Sequence, residues 1–465
     1  MLYSTPAQLC FPPVAGYTVR ADFEGGALSS DFGALLLRGI DRQIGLTSRL
    51  AAAIHDERHP SYIDHPLRDL LAQRVYQIAS GYPDGNDANS LRHDPLFKLS
   101  LDHLPLDDTH ARASAPTLSR FEHQIDRKDA YRLARAFVEH FVHSYAAPPE
   151  AIVLDLDHTD DPTHGQQELA FYNHHYRTYC YLPLFIVEGT SQALVTACLR
   201  PGIRPTGAET AMIVAGLLPY LRHHWPDTHI LVRGDSHFAA PELMHLIAQQ
   251  PLTDFVFGLS INAVLKRHAA AALAEARQLH HYRLAVAQAK GAPAPSSSRI
   301  YDEFRYGAVS WQQPWRVVLK AEVMTQDDNP RFVVPSLEAP SAQMLYEDLY
   351  CARGHSENAF KALKHDLRCD LTSATTFLAN TMRLFLACAA YVLHHALRVH
   401  TLAHTALAQA HPATVMLKLF KVAAHVKQST DRIRLHLPSS CPLKALLHRV
   451  TDLLCAVPAP VWNTS

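Results

Sequence analysis

Tyr350, Arg353, Glu357 and Lys364 stand at offsets of 0, 3, 7 and 14 in one 15-residue frame. On a helix turning about 100° per residue, these positions fall within about 60° of one another. One surface then carries a carboxylate between two cations, with a phenol beside them. Such a surface suits work on phosphates. Glu357 can hold a metal ion, Arg353 can grip anionic oxygens with two parallel hydrogen bonds, and Lys364 can act as a point charge. A charged helix face is ordinarily just solvated, but four specified residue types in a fixed frame are a tighter condition than a charge pair. Gly354 lies inside the frame and weakens a helix interior by about 1 kcal/mol against Ala, so the spacing predicts an irregular helix there.

Displacement at phosphorus asks for more than one carboxylate. Two divalent cations roughly 4 Å apart can activate the attacking oxygen and stabilise the leaving one, and hard cations such as Mg²⁺ want carboxylate oxygens. Asp157 and Asp235 each close an apolar run, Ala151–Asp157 and His229–Asp235. Asp155 shares a strand face with Asp157 by alternation and is the second choice for the first position. Each aspartate also has an ordinary explanation, a strand-end cap or an Asx turn before Pro241. Gly234 beside Asp235 permits close backbone approach. A separate cluster, His158, Asp160, His164, His174 and His175, matches no metal-ligand spacing, and chance explains it in a chain with 31 histidines.

The frame resembles the Tyr-Arg-Glu-Lys signature of DDE insertion-sequence transposases, and the wider chain resembles the insertion sequence 1380 family. Other matching stretches are Gly45-Leu-Thr47, Asp69-Leu-Leu-Ala-Gln-Arg-Val-Tyr-Gln-Ile-Ala-Ser-Gly-Tyr82, Pro116-Thr-Leu-Ser-Arg-Phe-Glu122, Leu154-Asp-Leu-Asp-His-Thr-Asp-Asp161, His164-Gly-Gln-Gln167 and Arg233-Gly-Asp-Ser236. The resemblance implies Asp157, Asp235 and Glu357 as catalytic metal ligands for two Mg²⁺ or Mn²⁺ ions. It favours Asp157 over Asp155 through an Asp-x-Thr pattern at Asp157-His158-Thr159. Tyr350, Arg353 and Lys364 are expected to contact DNA phosphates. Relatives stack a Trp of an inserted segment on a flipped base, which makes Trp311 and Trp315 the candidates for base stacking. His237 stands where a small residue is common in relatives, and Asp370-Leu-Thr-Ser-Ala374 is only a partial match to what usually follows the final helix.

The elements that must position these groups follow from patterning. Residues 1–147 read as a helical domain, with Pro66 and Gly81 bracketing one amphipathic helix and Asp126 opening another; it is expected to bind DNA, although periodicity fits a packing support equally. The pattern changes near residue 150. Strands are expected at 151–157, 179–187, 193–199, 229–235 and 254–259, with helices at 207–225 and 241–249. Three consecutive strands, then helix, strand, helix, strand, is the order of an RNase H-like α/β domain. The first part of that catalytic core spans 148–261. Residues 262–336 read as a β-rich insertion, opening with an Ala-rich helix and a Pro/Ser-rich linker at 291–298. The core resumes over 337–400 with the Glu357 helix and a long apolar helix at 375–397, which contains Asn380, Arg383, His394 and His395 and reads as buried rather than membrane-spanning. Residues 401–465 form a basic C-terminal region expected to be helical.

At 465 residues the chain is long enough for two to four domains. Charged residues are 19% and hydrophobic ones 48%, which excludes a disordered chain. The net charge of −1 argues mildly against a protein that coats nucleic acid. Eight scattered cysteines with no Cys-x-x-Cys pair read as reduced thiols of a cytosol. The resemblance implies the expected function: a metal-dependent, cut-and-paste DNA transposase of a bacterial insertion sequence. It would bind terminal inverted repeats and target DNA, pair two ends as a homodimer by resemblance, and act in the cytoplasm at the nucleoid. Three alternatives stand beside it: a transposase-derived DNA-binding protein with impaired chemistry, an RNase H-like nuclease without joining activity, and an interaction protein whose charged helix is only surface.

Overall fold

In the computed structural model, which describes residues 8–324, 327–338 and 340–456, Ile152, Leu154 and Leu156 alternate with Val153, Asp155 and Asp157 along strand β1 (Ala151–His158). The first set enters a large apolar core. The second set must face the other side of the sheet, because successive side chains point to opposite faces. Strand β4 (His229–Gly234) repeats the arrangement, with Ile230 and Val232 in the same core and Leu231 in a smaller cluster on the opposite face.

Around these two strands lies an eight-stranded mixed sheet. Strands β2 (Leu184–Glu188) and β3 (Leu194–Cys198) run antiparallel beside β1, whereas β4 and β5 (Thr253–Leu259) are parallel to it. Beyond β5 the sheet continues antiparallel through β8 (Asp328–Pro335), β7 (Trp315–Met324) and β6 (Ser297–Tyr306). Helices α1 (Arg127–His143), α2 (Gly207–His224), α3 (Pro241–Ala248) and α4 (Ala263–Lys290) contribute to the large core on one face. Capping boxes start two of them: Asp126 with Asp129 for α1, and Thr206 with Glu209 for α2.

Several boundaries differ from the sequence reading. Residues 262–336 are not a separate body: β8 pairs with β5 in register from Val256 opposite Pro335 to Leu259 opposite Phe332, and α4 buries Leu265, Ala269 and Ala276 in the shared core. The expected strand at 179–187 is two strands in two sheets. Thr178–Tyr181 pairs with Phe171–Asn173 and with Asp161–Pro162, and β2 starts only at Leu184. Pro183, which has no N–H to give a ladder, separates them. Helix α1 belongs with the sheet rather than with the N-terminal helices.

The chain divides into two compact units, residues 125–365 with 369–388, and residues 1–124 with 366–368 and 389–465. The second unit unites what the sequence suggested were separate N- and C-terminal domains. Leu28–Ser29 pairs with Ala424–Gln428, which pairs with Ile433–His436, so the C-terminal region contains strands as well as helices. The outermost parts of those two segments, residues 1–7 and 457–465, lie outside the described residues. The long helix α5 (Phe377–Thr401) contributes to both units, and 83% of its most apolar window is buried, as expected of a core helix.

Within the second unit His394 is buried. Its Nε2 donates to the Ala79 carbonyl at 2.8 Å, its ring stacks on Phe420 at 5.2 Å, and Nδ1 has no partner. Burial pushes its pKa from 6.5 down to about 4. The unfolded chain therefore takes up this proton more readily than the folded one. The contribution of neutral His394 is complete above pH 6.5 and is lost as pH falls toward 4. Thermal melts should show the midpoint falling over that window, with a shallower slope in His394→Gln, which keeps a donor but does not titrate. Equal slopes in the two proteins would contradict this reading.

Candidate active site

Parallel register brings the two aspartate-bearing strands together. Asp155 of β1 lies opposite Arg233 of β4, and Leu156 opposite Gly234. One step further along, Asp157 and Asp235 stand at adjacent strand ends. Side chains 155, 157, 233 and 235 share the sheet face that does not enter the large core.

A helical segment from Ala342 to Asp366 lies over this face, with Leu345 and Tyr346 packed among Leu231, Val256, Val318 and Val333. It is irregular, as Gly354 predicted. It passes from a π turn at Leu345–Tyr350 through a 3₁₀ turn at Cys351–His355 to a short α turn at Glu357–Lys361, then to a second π turn at Ala362–Asp366. The 3₁₀ stretch has three residues per turn, so Tyr350 and Arg353 sit one above the other.

Asp155 fixes this segment to the sheet. Its two oxygens accept from Arg233 Nε and Nη2 at 2.6 and 2.7 Å, and one also accepts from the Ser356 hydroxyl. Arg233 Nη1 donates to the Leu349 carbonyl at 2.7 Å. Asp155 and Ser356 are fully buried, and Arg233 nearly so. The second-choice carboxylate is therefore committed to structure, one residue before Glu357 on the helix side. Gly189 completes the packing, since a Cβ there would lie 2.5 Å from Arg233 Nη2 and 2.6 Å from Asp155 Oδ2.

The other carboxylates are less constrained. Arg353 Nη1 approaches Asp157 Oδ1 at 3.6 Å. Burial raises the Asp157 pKa to about 7; Arg353 opposes the rise, and Asp235 and Glu357 add to it. The three groups thus sense one another's charge. Burial also pushes Asp235 upward, but hydrogen bonds from His237 outweigh it and hold the carboxyl below its ordinary value. The His237 backbone N–H donates to Asp235 Oδ1 at 2.8 Å and its Nδ1 lies 3.4 Å from Oδ2. Glu357 is half-exposed and lies 3.6 Å from Lys361. Tyr350 places its hydroxyl beside the Asp235–Ser236 turn. A Cβ at Gly258 would come within 2.7 Å of that hydroxyl and 3.0 Å of the Ser236 nitrogen.

Among the described residues, no three His, Cys, Asp or Glu side chains are placed to hold a metal ion as they stand. This applies to the histidine cluster and equally to the three carboxylates. The donor chemistry nevertheless fits a hard divalent cation. The charges of Asp235 and Glu357 both act on Asp157, and Arg353 counters them.

Two groups of candidates are placed differently from the expectation. Lys364 is bound to Asp160, through the carboxylate at 2.6 Å and the backbone carbonyl at 2.9 Å, so its charge is already countered. Trp311 and Trp315 pack against the large core, Trp315 edge-on to Phe255 at 5.2 Å and Trp311 edge-on to Tyr306 at 5.3 Å. Both rings remain partly exposed. Sequence reasoning missed the structural tie of Asp155, Arg233 and Ser356, although an arginine inside an otherwise apolar strand was the available signal. It also missed Gly258 and the Asp160 partner of Lys364.

The buried tie makes a quantitative expectation. Arg233→Met leaves Asp155 unpaired and should cost about 3–5 kcal/mol in urea unfolding of the sheet unit. Arg233→Met with Asp155→Leu removes both charges and should recover much of that loss. A single variant as stable as the parent would show that the pair does not hold the segment.

The family model described as transposase DDE domain group 1 matches residues 11–459. No curated protein matches the chain. Among solved structures, a cryo-EM structure of piggyBac transposase in a synaptic complex with hairpin DNA is similar at 13% identity and a TM-score of 0.38, over 94% of this chain and 87% of that one. That likeness is too distant to assign residue roles. The family match spans nearly the whole sequence: the chain belongs to the transposase DDE domain group 1 family.

Proposed function

We propose that this protein is the transposase of a bacterial insertion sequence of the 1380 family, cutting DNA at the element's ends and joining the freed 3′-hydroxyls to target DNA. One observation supports the reading: Asp157 and Asp235, far apart in sequence, stand at adjacent strand ends, under a helical segment that carries Glu357 and is tied down by Asp155 and Arg233. The strand order, three antiparallel strands followed by two parallel ones, supports an RNase H-like core.

Asp157, Asp235 and Glu357 would hold Mg²⁺ or Mn²⁺, as a pair of ions in our reading, and the metal supplies polarisation of the phosphate and an activated oxygen nucleophile at neutral pH. The protein's own groups do the positioning. The buried Arg233–Asp155 pair sets the height of Glu357 above the two aspartates. His237 keeps Asp235 ionised. Arg353, at 3.6 Å from Asp157, is beyond hydrogen-bonding distance and has donors to turn toward a phosphate oxygen. The Tyr350 hydroxyl stands ready beside Asp235 for another. Lys364 contributes to phosphate binding only by leaving Asp160. Double-stranded DNA is the partner, two ends are paired by two copies of the chain, and the work is done in the cytoplasm at the nucleoid.

The test is cleavage of a labelled duplex carrying the element's terminal repeat, with Mg²⁺ and the full-length protein. The parent should cut at the end. Asp157→Asn, Asp235→Asn and Glu357→Gln should each lose at least roughly a thousandfold in rate, the scale for removing one member of a cooperative catalytic set, while still binding the duplex. Undiminished cutting by any of the three would remove that residue from the proposal. Binding without cutting by the parent would favour a DNA-binding protein with impaired chemistry.

A further inference from the structure

A hairpin near the C-terminus carries charge of one sign on its exposed face. Strands Ala424–Gln428 and Ile433–His436 pair antiparallel, with His425 opposite His436 and Lys427 opposite Arg434. The Ser429 nitrogen donates to the Arg432 carbonyl at 2.8 Å and closes the ladder over Thr430 and Asp431. Opposed residues share a sheet face, and alternate residues along a strand return to it. Lys427, Arg432 and Arg434 therefore stand on one side, together with the two histidines. All three cations are exposed.

The other side holds the hairpin in place. Val426 is buried, and Ile433 and Leu435 are partly so. Leu28–Ser29 adds a third strand beside Ala424 and His425, and the Val426 nitrogen donates to the Ala27 carbonyl at 2.8 Å. The Gln428 side-chain oxygen accepts from the Leu106 nitrogen at 3.3 Å. The charged face is thus a fixed platform within its unit.

Its charge is not balanced locally. Like charges directly opposite one another weaken a strand pair, yet Lys427 faces Arg434. Among the described residues none of the three cations forms an ion pair. The hairpin's own carboxylate, Asp431, lies in the loop and accepts from the Ser429 hydroxyl at 3.1 Å. Carboxylates are not scarce in this chain, with 44 Asp and Glu against 43 Lys and Arg. Exposed arginines elsewhere have them: Arg299 pairs with Glu322 at 2.7 Å and Arg305 with Glu338 at 2.8 Å. The hairpin lacks such partners.

Resting on the DNA reading above, we propose that this face seats on the phosphate backbone of duplex DNA and grips it without regard to base sequence. Charge complementarity selects the partner, since duplex DNA presents a phosphate charge about every 1.7 Å of its axis. Cations about 7 Å apart along a strand and about 5 Å apart across the pair can engage neighbouring phosphates together. The hairpin contains no Trp, Tyr or Phe, so stacking plays no part, and the aromatic anchors of a lipid-binding surface are missing too. Phosphate contacts of this kind set register and orientation and leave sequence to be read elsewhere.

The experiment needs no metal and no cutting. Binding of the full-length protein to two labelled duplexes of unrelated sequence is followed by fluorescence anisotropy between about 50 and 200 mM salt, the range over which phosphate contacts dominate the response. The triple variant Lys427→Gln, Arg432→Gln, Arg434→Gln should lower the slope of log affinity against log salt by about two to three, at roughly 0.9 per phosphate contact. Its affinity near 0.1 M salt should fall by about a hundredfold on both duplexes alike. The charge-keeping variant Lys427→Arg, Arg432→Lys, Arg434→Lys should retain the parent slope, which a role in packing would not produce. A slope unchanged in the glutamine variant, with or without lost affinity, would overturn the proposal; the charges would then only guard exposed strands against pairing. A parent that binds through these residues but does not cut the element's end would leave this surface standing and overturn the cutting reading. Failure of the parent to bind any duplex would overturn both.

Discussion

Arg233 and Asp155 form the contact on which the rest of the site depends. Both are buried on a sheet face that would otherwise be apolar, and neither could remain charged there without the other. Their pairing joins the two central strands at the point where Asp157 and Asp235 emerge. Through Ser356 and the Leu349 carbonyl, it also fixes a helical segment that reaches the sheet from more than a hundred residues downstream. Regular helix geometry is given up in return: the segment alternates π, 3₁₀ and α turns to keep Tyr350 over Asp235, Arg353 over Asp157 and Ser356 on Asp155.

Charge is distributed unevenly over that frame. Asp157 is buried beside two other carboxylates, with only Arg353 to offset them, and its pKa rises to about 7. Asp235 is relieved by His237 and stays below the ordinary carboxylate range. Clusters of perturbed carboxylates in a cleft mark functional sites more often than structural ones. Two clefts flank these carboxylates and differ in character. One, with Ser236, Tyr350 and Arg331 among its lining, has about 590 Å³ and a polar wall, whereas the other is walled by tyrosine and histidine rings.

Much of the fold was legible because strands β1, β3, β4 and β5 and helices α1 to α4 carry plain apolar periods bounded by Pro, Gly or a capping box. The irregular helix from Tyr350 to Lys364 was legible because Gly354 lies inside it. Pairing between distant strands was not legible. Nothing in 328–335 announces that it will dock against 253–259, so the sheet extension looked like an inserted domain. Leu28–Ser29 is too short to read as a strand and gains its identity only from Ala424–Gln428. The fates of Asp155, Lys364, Trp311 and Trp315 were hidden for the same reason. Whether a carboxylate, a cation or an aromatic ring is available for chemistry depends on which residue lies opposite, and that is a three-dimensional fact.

The account stands on one claim, that Asp157, Asp235 and Glu357 together form a divalent-cation site. Crystals of the full-length protein grown with Mn²⁺ and measured at the manganese absorption edge test it most directly. The account predicts anomalous peaks bounded by these three carboxylates, with Glu357 drawn in from its present neighbour Lys361 and the peaks absent in Asp157→Asn. Manganese bound elsewhere, with the three carboxylates still apart, would contradict it.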